Sequence, residues 1–413
     1  MAILAVNAGS STLKFSVHTL QDRQVQPCEL AGNIQGLEPG GAPLLAWSFQ
    51  GRAQQRALPV TKSDPFDQAI QSLVELLVGE YSLPSLQAIA HRVVHGGRDF
   101  SSSVLVTEET LGRLAQLNSL APLHQPHNLA GIRAFQKAFP STPQVACFDT
   151  AFHTTLPEVE YSFALPQSLA EQGIRRYGFH GLSYQFIMGA LQRRSAHAEA
   201  RVLMAHLGNG ASLCAARNGR SCATTMGFSA LDGLMMGTRS GSLDAGVLLH
   251  LLEQGWDHAR LQTLLYKQSG LLGVSGISAD MRRLRADGSA PAQRAIDLFT
   301  HRVVRESGAL VACLGGLDVL AFSGGIGEHD AVLRAQVCEQ LSWLGVVLDP
   351  VLNQQATGEA VLAIHKPDSR VQVWVVPTDE GCVAAEEAAQ VIRSFTLTKS
   401  DQDSVIYDDE LLC

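Results

Sequence analysis

Two short segments with the same pattern constrain the fold of this chain more than any other feature of its sequence. Residues 2–17 form an apolar run, a small polar turn at residues 9–11 and a second run in which apolar residues alternate. Residues 202–217 repeat that order around a turn at residues 208–210. Alternating runs on either side of a glycine-containing turn predict a β-hairpin. Because the hairpin occurs twice, we expect an α/β fold made of two similar halves.

The first turn carries groups that can bind phosphate. Backbone N–H groups of residues 9–11 can converge on an anion, and Lys14 adds a further donor. Asn7, at the end of the first run, can face a metal-bound water. An ordinary hairpin with a solvated lysine explains this segment equally well. A third glycine turn, at residues 324–327, follows another apolar run.

Two hairpins with a later glycine turn resemble the actin-like ATPase and sugar-kinase superfamily. The resemblance implies duplicated actin-like (ribonuclease H-like) domains, with the nucleotide cleft between them. We expect an N-terminal domain at residues 1–150, joined by a helix at about 382–394, and a C-terminal domain at residues 151–381. A fold of this kind does not fix the function, because one fold hosts many activities.

Composition narrows the class of protein. A length of 413 residues favours two domains over one, and a net charge of −8 argues against a nucleic-acid partner. The opening apolar stretch is brief and lacks a basic leader, so we expect no membrane partner and a cytoplasmic location. Eight cysteines without a CxxC pair fit reduced thiols. The acidic tail at residues 395–413 is expected to be disordered.

Three residues in the first half are candidates for chemistry. Arg92 lies in an apolar run, where its charge is costly unless it is paired in an ion pair or faces a cleft. Asp149 ends another apolar run and is either a metal-side or acid/base group or the cap of the turn that follows. His124 lies between two prolines, which make a stiff loop.

The second half offers candidates for phosphate binding. His180 stands between two glycines ahead of a helix predicted over 183–194, and a helix N-terminus attracts anions. A capping serine with a surface histidine explains that segment nearly as well. Arg239 lies in a Gly-Thr-Arg-Ser-Gly loop, where its planar guanidinium can stabilise a transferring phosphoryl group. Asp280 and Arg282, ahead of a further helix, are possible nucleotide contacts.

The motifs that are missing are as informative as those present. The sequence has no Walker A, HExxH or Gly-x-Ser-x-Gly motif, so P-loop, zincin and hydrolase functions lack support. Phosphoryl transfer requires positioning, a metal ion and positive charge around the moving group, and little covalent help from the protein. The phosphate-type turns, the two arginines and the acids at strand ends meet that requirement.

Taken in order, the motifs resemble those of the acetate kinase family. They are NAGSSTLKF, HRVVHGG, LAPLHQPHN, FDTAFH, RRYGFHG, HLGNGAS, GFSALDGLMMGTRSG, GVSGIS with ADMR, SGGIGE and PTDEG. Each is weak alone, but together they are specific and extend from residue 2 to about 390. The resemblance implies an enzyme that interconverts ATP and acetate with ADP and acetyl phosphate by direct in-line transfer, using Mg²⁺ or Mn²⁺. It also implies a homodimer paired through the C-terminal domain.

The resemblance implies a role for each matching residue. The catalytic residues are Asp149, His180, Arg239 and His124. The carboxylate and acyl group of the substrate contact Arg92, Val94, Leu123, Phe179 and Ala230. The nucleotide contacts Lys14, His206, Leu207, Gly208, Asn209, Gly210, Asp280, Met281, Arg282, Gly325, Ile326, Gly327, Glu328 and His329. The metal ligands are Asn7 and Glu380. Because a carboxylate is already ionised at neutral pH, we expect Asp149 to organise the metal and donors more than to transfer a proton.

Several positions depart from the family pattern. Ala230 replaces a usual proline, His329 a usual asparagine, and residues 378–381 read TDEG instead of TNEE. A methyl in place of a ring would enlarge the acyl pocket, so propionate kinase is an alternative function. A sugar or polyol kinase of the same fold needs an aspartate base for a hydroxyl and does not need Arg92. A nucleotide-gated chaperone or filament module is the non-catalytic alternative.

Overall fold

The structure is a computed structural model that describes residues 1–9, 11–38, 40–59, 65–81, 85–122 and 124–408, the last without the side chains of residues 396–408. The side chain of residue 80 is likewise not described. The chain divides into two units. Unit 1 comprises Met1–Ala151 and Asp379–Cys413, and unit 2 comprises Phe152–Thr378. These bounds lie next to the domain limits expected from the sequence.

The elements are numbered along the chain. The strands are β1 (Ala2–Ala8), β2 (Thr12–Gln21), β3 (Gln24–Val25), β4 (Leu30–Gln35), β5 (Leu44–Phe49), β6 (Arg52–Ala57), β7 (Leu86–Val93), β8 (Val104–Leu105), β9 (Gln144–Phe148), β10 (Arg201–Leu207), β11 (Ala211–Arg217), β12 (Arg220–Thr224), β13 (Val319–Ser323), β14 (Leu362–Ala363) and β15 (Gln372–Val375). The α-helices are α1 (Pro65–Val74), α2 (Glu108–Ala115), α3 (Gln125–Ala138), α4 (Glu158–Tyr161), α5 (Gln167–Glu171), α6 (Gly181–Gln192), α7 (Ala245–Glu253), α8 (His258–Lys267), α9 (Gly270–Ser275), α10 (Met281–Asp287), α11 (Ala290–Leu314), α12 (Gly324–His329), α13 (Ala331–Gln340), α14 (Pro350–Gln355) and α15 (Glu380–Asp408). A π-helical turn covers Glu75–Glu80, and 3₁₀ turns cover Gln116–Ser119, Ala151–His153 and Ser342–Leu344.

The two central sheets have the same topology. In unit 1 the strand order is β4-β2-β1-β7-β9, with β1, β2 and β4 antiparallel and with β7 and β9 parallel to β1. In unit 2 the order is β12-β11-β10-β13-β15, again with three antiparallel strands followed by two parallel ones. The repeated hairpins of the sequence are the β1–β2 and β10–β11 pairs. The predicted duplicated α/β fold is therefore confirmed.

Helices cover both faces of the unit 1 sheet. His91 of β7 packs edge-on against Phe135 of α3, with ring centroids 5.5 Å apart. The opposite face of the sheet packs against α15, which contacts β1, β7 and β9. Side chains alternate between the faces of a strand, so His91 and its neighbour Arg92 point to different helices.

The predicted helices are found with shifted ends. In the sequence, apolar residues at helical spacing predict a further helix over residues 64–78, with Ser63 or Asp64 as its N-cap. The structure has α1 followed by the π-helical turn there, and the predicted cap lies outside the described residues. The final helix extends beyond its expected end at about 394, because no glycine or proline follows Gly381 to stop it before Asp408. Disorder of the rest of the tail stays a prediction, since residues 409–413 lie outside the described part. None of the described helices is long and apolar enough to cross a membrane.

Candidate active site

In unit 1 the site is centred on the Arg92 guanidinium. Arg92 Nε donates to Asp149 Oδ1 at 2.9 Å, and Nη2 donates to Asp149 Oδ2 at 2.5 Å. Glu380 Oε2 lies 3.3 Å from Arg92 Nε. The sequence left open whether Arg92 forms an ion pair or faces a cleft, and the structure shows the ion pair. Its Nη1 carries no hydrogen bond to any residue in the described part of the chain, so that edge of the guanidinium is available to a further anion.

Burial and charge act in opposite directions on this pair. The Asp149 side chain is 2% exposed and that of Arg92 20%. Burial raises the pKa of Asp149 to about 6, although the Arg92 guanidinium lowers it, and Glu380 raises it further. Burial lowers the pKa of Arg92, but the Asp149 and Glu380 carboxylates outweigh burial and leave it above its usual value. At neutral pH the pair is therefore a carboxylate and a guanidinium.

Strand register places Asn7 and Lys14 on the same sheet face as Arg92. Val6 lies beside His91 in the parallel β1–β7 pair, and His91 points toward α3. Because side chains alternate along a strand, the next residues, Asn7 and Arg92, both point toward the opposite face, which packs against α15. Lys14 is directly opposite Asn7 in the β1–β2 hairpin. Asn7, Lys14, Arg92 and Glu380 thus lie on one side of unit 1.

The first hairpin turn differs from the expected anion cradle. The N–H of Gly9 donates to the carbonyl of Thr12 at 2.8 Å, so it closes the turn and is not available to a phosphate. Ser10 lies outside the described residues. Lys14 remains exposed, and it is the donor of this segment that can reach a ligand.

A buried asparagine joins the strand ends that carry these residues. Asn128 Nδ2 donates to the carbonyl of Ala8 at 2.8 Å, and its Oδ1 accepts from the N–H of Val94 at 3.0 Å. His124 precedes α3, the helix that carries Asn128, and Val94 is buried. The predicted acyl-pocket residue Leu123 lies outside the described residues.

In unit 2 the site is centred on His180. This residue has a left-handed backbone, with φ 60°, immediately before α6. Its Nδ1 is 2.8 Å from Ser212 Oγ, and its ring stacks on that of His206 with centroids 4.3 Å apart. His206 Nδ1 is in turn 2.8 Å from Ser183 Oγ. Both imidazoles are therefore held by a serine hydroxyl and by each other.

Gly210 brings His180 and Arg239 together. A Cβ built on Gly210 would lie 3.2 Å from His180 Nε2 and 3.1 Å from Arg239 Nη2, so both donors border the same position. Arg239 Nη1 donates to the carbonyl of Ala230 at 2.6 Å, which fixes the guanidinium. The Arg239 N–H and an imidazole nitrogen that carries a hydrogen can together bind an anionic group beside a glycine.

The second hairpin turn lies against the third glycine segment. A Cβ on Gly324, whose φ is +73°, would lie 2.8 Å from the carbonyl oxygen of Leu207, so only glycine fits there. Gly208 lies next to Gly325 in the same region. Because β10 and β13 are parallel neighbours, their carboxyl ends deliver both glycine turns to one edge of the sheet.

This edge borders a cavity of about 830 Å³ within unit 2. Its lining includes eight of the residues predicted to contact nucleotide: Gly208, Asn209, Asp280, Met281, Arg282, Gly325, Ile326 and His329. Such a volume lies in the range of small-molecule and cofactor sites. The cavity and the glycine turns beside it are compatible with the predicted nucleotide.

Comparisons with known proteins identify the family of this chain. The profile of the Acetokinase family matches residues 2–386. The chain belongs to that family. An acetate kinase of Rhodopseudomonas palustris (strain ATCC BAA-98 / CGA009) is 49% identical over 389 residues, which cover 93% of this chain and 96% of that protein.

Two solved structures support the family at the level of the fold. A crystal structure of Porphyromonas gingivalis acetate kinase has a TM-score of 0.84 at 35% identity, covering 95% of this chain and 99% of that one. A propionate kinase from Francisella tularensis subsp. tularensis SCHU S4 has a TM-score of 0.86 at 34% identity, covering 94% and 99%. The resemblance to the acetate kinase family drawn from the motifs is confirmed.

Six residues predicted from the family to contact nucleotide do not line the cavity. They are Lys14, which belongs to unit 1, and His206, Leu207, Gly210, Gly327 and Glu328. The ring of His206 stacks on His180, and Gly210 borders the donor pair. The Glu328 carboxylate accepts from the N–H groups of Gly324 at 2.8 Å and Thr378 at 3.1 Å, so it fixes the glycine turn.

The sequence did not point to several other residues of this cavity and of the His180 cluster. Arg285 and Asp330 line the cavity and form an ion pair at 2.6 Å, and Gln354 lines it too. Ser212 and Tyr184, which support His180, were not identified either. Ser212 ends the HLGNGAS motif and the other positions lie outside the motifs, but the roles of all of them depend on contacts between elements distant in sequence.

Described residues contain no group of three or more His, Cys, Asp or Glu side chains that could hold a metal ion. Mg²⁺ does not require one, because it is commonly held by one or two protein oxygen ligands together with water and substrate phosphates. The Asn7 amide and the Glu380 carboxylate supply oxygen donors on one face of unit 1. That donor set fits Mg²⁺ and does not fit a soft thiolate-binding metal.

Proposed function

We propose that this protein is an acetate kinase, which reversibly transfers the γ-phosphoryl group of ATP to acetate. The observation that carries the proposal is the convergence of His180 Nε2 and Arg239 Nη2 beside Gly210. Gly210 belongs to the same turn as Gly208 and Asn209, which line the cavity. A nucleotide in that cavity, with its phosphates at the glycine turn, presents its terminal phosphoryl group to both donors.

The chemistry needs no general base. A carboxylate oxygen of acetate forms a bond to the γ-phosphorus while the bond from that phosphorus to the β,γ-bridging oxygen breaks. The products are acetyl phosphate and ADP, and no proton is gained or lost. The protein's task is to place the two anions in line and to stabilise the charge that spreads over the transferring group.

The residues of unit 1 have the following roles in this reaction. Arg92 binds the acetate carboxylate through Nη1, while Asp149 holds the other edge of the guanidinium and fixes its plane. Asn7 and Glu380 hold Mg²⁺, which when bound with ATP neutralises charge on the phosphate chain. His124 and Lys14 act as further donors to phosphate oxygens.

Propionate is a second candidate substrate. Ala230 is partly exposed in the loop that holds Arg239, and it carries a methyl group where the family pattern has a proline ring. A larger acyl pocket admits one more methylene, and that methylene changes the specificity constant by an amount equivalent to about 1–3 kcal/mol.

We also propose a homodimer formed through unit 2. None of the residues of α7 is buried, and four apolar side chains in or just before it are exposed: Leu243, Val247, Leu249 and Leu252. Leu249 is 62% exposed. A concentrated exposed apolar surface indicates a protein interface, and a second copy of the chain satisfies it symmetrically. Sedimentation of a Leu249→Asp variant as a monomer would support this assembly, and an unchanged sedimentation coefficient would contradict it.

The reaction is tested by trapping the product. Incubation with ATP, Mg²⁺, acetate and hydroxylamine should give acetohydroxamate, which is coloured with ferric ion. Parallel reactions with glucose and glycerol in place of acetate should release no ADP above the rate without acceptor. Acetate-independent ATP hydrolysis, with no hydroxamate, would reject the proposal.

A further inference from the structure

Behind His180 lies a chain of buried hydroxyl groups. Tyr184 Oη is 2.5 Å from Ser212 Oγ, and Ser212 Oγ is 2.8 Å from His180 Nδ1. Both Tyr184 and Ser212 are fully buried. The far side of the imidazole, Nε2, faces Gly210 and Arg239. The two ring nitrogens therefore have different surroundings, and the hydroxyl chain contacts only one of them.

The direction of the hydrogen bonds follows from counting donors. Burial raises the pKa of Tyr184 well above its usual value, so the phenol keeps its hydrogen. The backbone of His206 also forms a hydrogen bond with that phenol, and because this bond lowers the pKa of Tyr184 it comes from an N–H donor. Among the contacts of the phenol in the described residues, Ser212 Oγ is then the one that can accept its hydrogen. If Tyr184 donates to Ser212, then Ser212 turns its own hydrogen toward His180. Nδ1 is then an acceptor and carries no proton.

We infer that Ser212 and Tyr184 are positioning residues that hold His180 as the neutral imidazole protonated at Nε2. This inference rests on the proposed function, since it assigns the Nε2–H to the transferring phosphoryl group. The opposite tautomer would present a lone pair to an anionic group and would leave the Tyr184 hydrogen without an acceptor in the described part of the chain. In the imidazolium, Nδ1 also carries a proton and has to donate it to Ser212, which again leaves the Tyr184 hydrogen without an acceptor in the described residues. The hydroxyl chain therefore disfavours the imidazolium as well.

The ring plane is fixed by other contacts. His206 stacks on His180 with 26° between the rings, and the left-handed backbone of His180 sets the direction of its side chain. These contacts hold the ring in place but do not distinguish the tautomers. Only the hydroxyl chain does so. Loss of a residue that orients a metal-bound histidine through its second ring nitrogen typically lowers activity about 10–100-fold, and we expect an effect of the same order here.

The test compares two substitutions of equal shape. Ser212→Thr keeps the hydroxyl and Ser212→Val replaces it with a methyl group, so any strain from the added branch is common to both. We expect kcat of Ser212→Val to be about 10–100-fold below that of Ser212→Thr, with KM for ATP and acetate within about twofold. Tyr184→Phe, which adds no atoms, should lower kcat in the same direction.

The tautomer itself gives a readout independent of activity. In the full-length protein labelled with [¹⁵N]histidine, the His180 signals are assigned by their absence in His180→Gln. Wild type and Ser212→Thr should show the Nε2–H tautomer, and Ser212→Val should gain the Nδ1–H form. A wild-type spectrum with a protonated Nδ1, or equal kcat for the valine and threonine variants, would overturn the inference. Failure of the wild type to form acyl phosphate would instead reject the proposed function, whatever the spectrum shows.

Discussion

Replacing Arg334 by methionine should destabilise unit 2 and weaken ATP binding. Arg334 in α13 is fully buried, and its five N–H groups meet five acceptors. Nε donates to Asn353 Oδ1 at 2.8 Å, Nη1 to the carbonyls of Gly327 and Glu328, and Nη2 to those of Asn353 and Ala356. The guanidinium therefore caps the carboxyl ends of both α12 and α14.

The magnitude follows from the acceptors that lose a donor. Methionine has a similar length, so the residual cavity is small, but all five acceptors are left buried. At about 1 kcal/mol for each, the gross loss is about 5 kcal/mol. Removing a buried charge returns part of this loss, so we expect a decrease of about 3–5 kcal/mol in the free energy of unfolding. Arg334→Lys, with three donors, should lose about 2 kcal/mol.

Denaturant unfolding and ATP saturation kinetics measure the two consequences. Because α12 lines the cavity through Gly325, Ile326 and His329, its displacement should raise KM for ATP. Saturating ATP should restore part of the free energy of unfolding that the variant loses. Arg294→Met, on an exposed position of α11, is the matched control. If Arg334→Met unfolds at the same denaturant concentration as this control and keeps its KM for ATP, the capping role of Arg334 is refuted.

Four further outcomes are expected. Burial lowers the pKa of both His91 and His153 from 6.5 to about 4. Their contribution to the free energy of unfolding is therefore present above pH 6.5 and is lost as pH falls toward 4. Urea unfolding across that range should show a loss of up to about 3 kcal/mol for each histidine. Arg239→Ala should lower kcat on the order of 10³-fold and change KM for ATP far less, whereas near-normal kcat would remove Arg239 from the mechanism. Gly210→Ala places a methyl group against both donors and should lower kcat about 10²-fold, a loss that steady-state assays would detect at once. Ala230→Pro should lower the ratio of kcat/KM for propionate to that for acetate about tenfold, and an unchanged ratio would show that this residue does not border the acyl group.

The sequence predicted those parts of the fold that follow from local periodicity. The hairpins at residues 2–17 and 202–217 alternate with period two around a glycine turn, so their pairing and their duplication were both accessible. The sequence also predicts one long helix over residues 291–314, which the structure shows as α11, with a proline in its first turn and a glycine after its end. These signals lie within single elements and need no knowledge of what packs against them.

Contacts between elements were not accessible in the same way. Arg92 reaches Asp149 because β7 and β9 are parallel neighbours, and the sequence could only offer ion pair or cleft as alternatives. Ser212 and Tyr184 are ordinary strand and helix residues until the fold places them behind His180. Helical spacing indicates the burial of Arg334, because it lies one helical turn from buried Cys338 on α13. It does not indicate the five acceptors, which come from segments before and after that helix.

Transfer of an isotope from acetate to phosphorus tests the central claim most directly. With [¹⁸O₂]acetate, ATP and Mg²⁺, attack by the carboxylate oxygen places ¹⁸O in the bond to phosphorus, and the ³¹P resonance of acetyl phosphate should move upfield as a single labelled species. Acetyl phosphate without the isotope shift, or release of inorganic phosphate as the only product, would contradict direct transfer to a bound carboxylate.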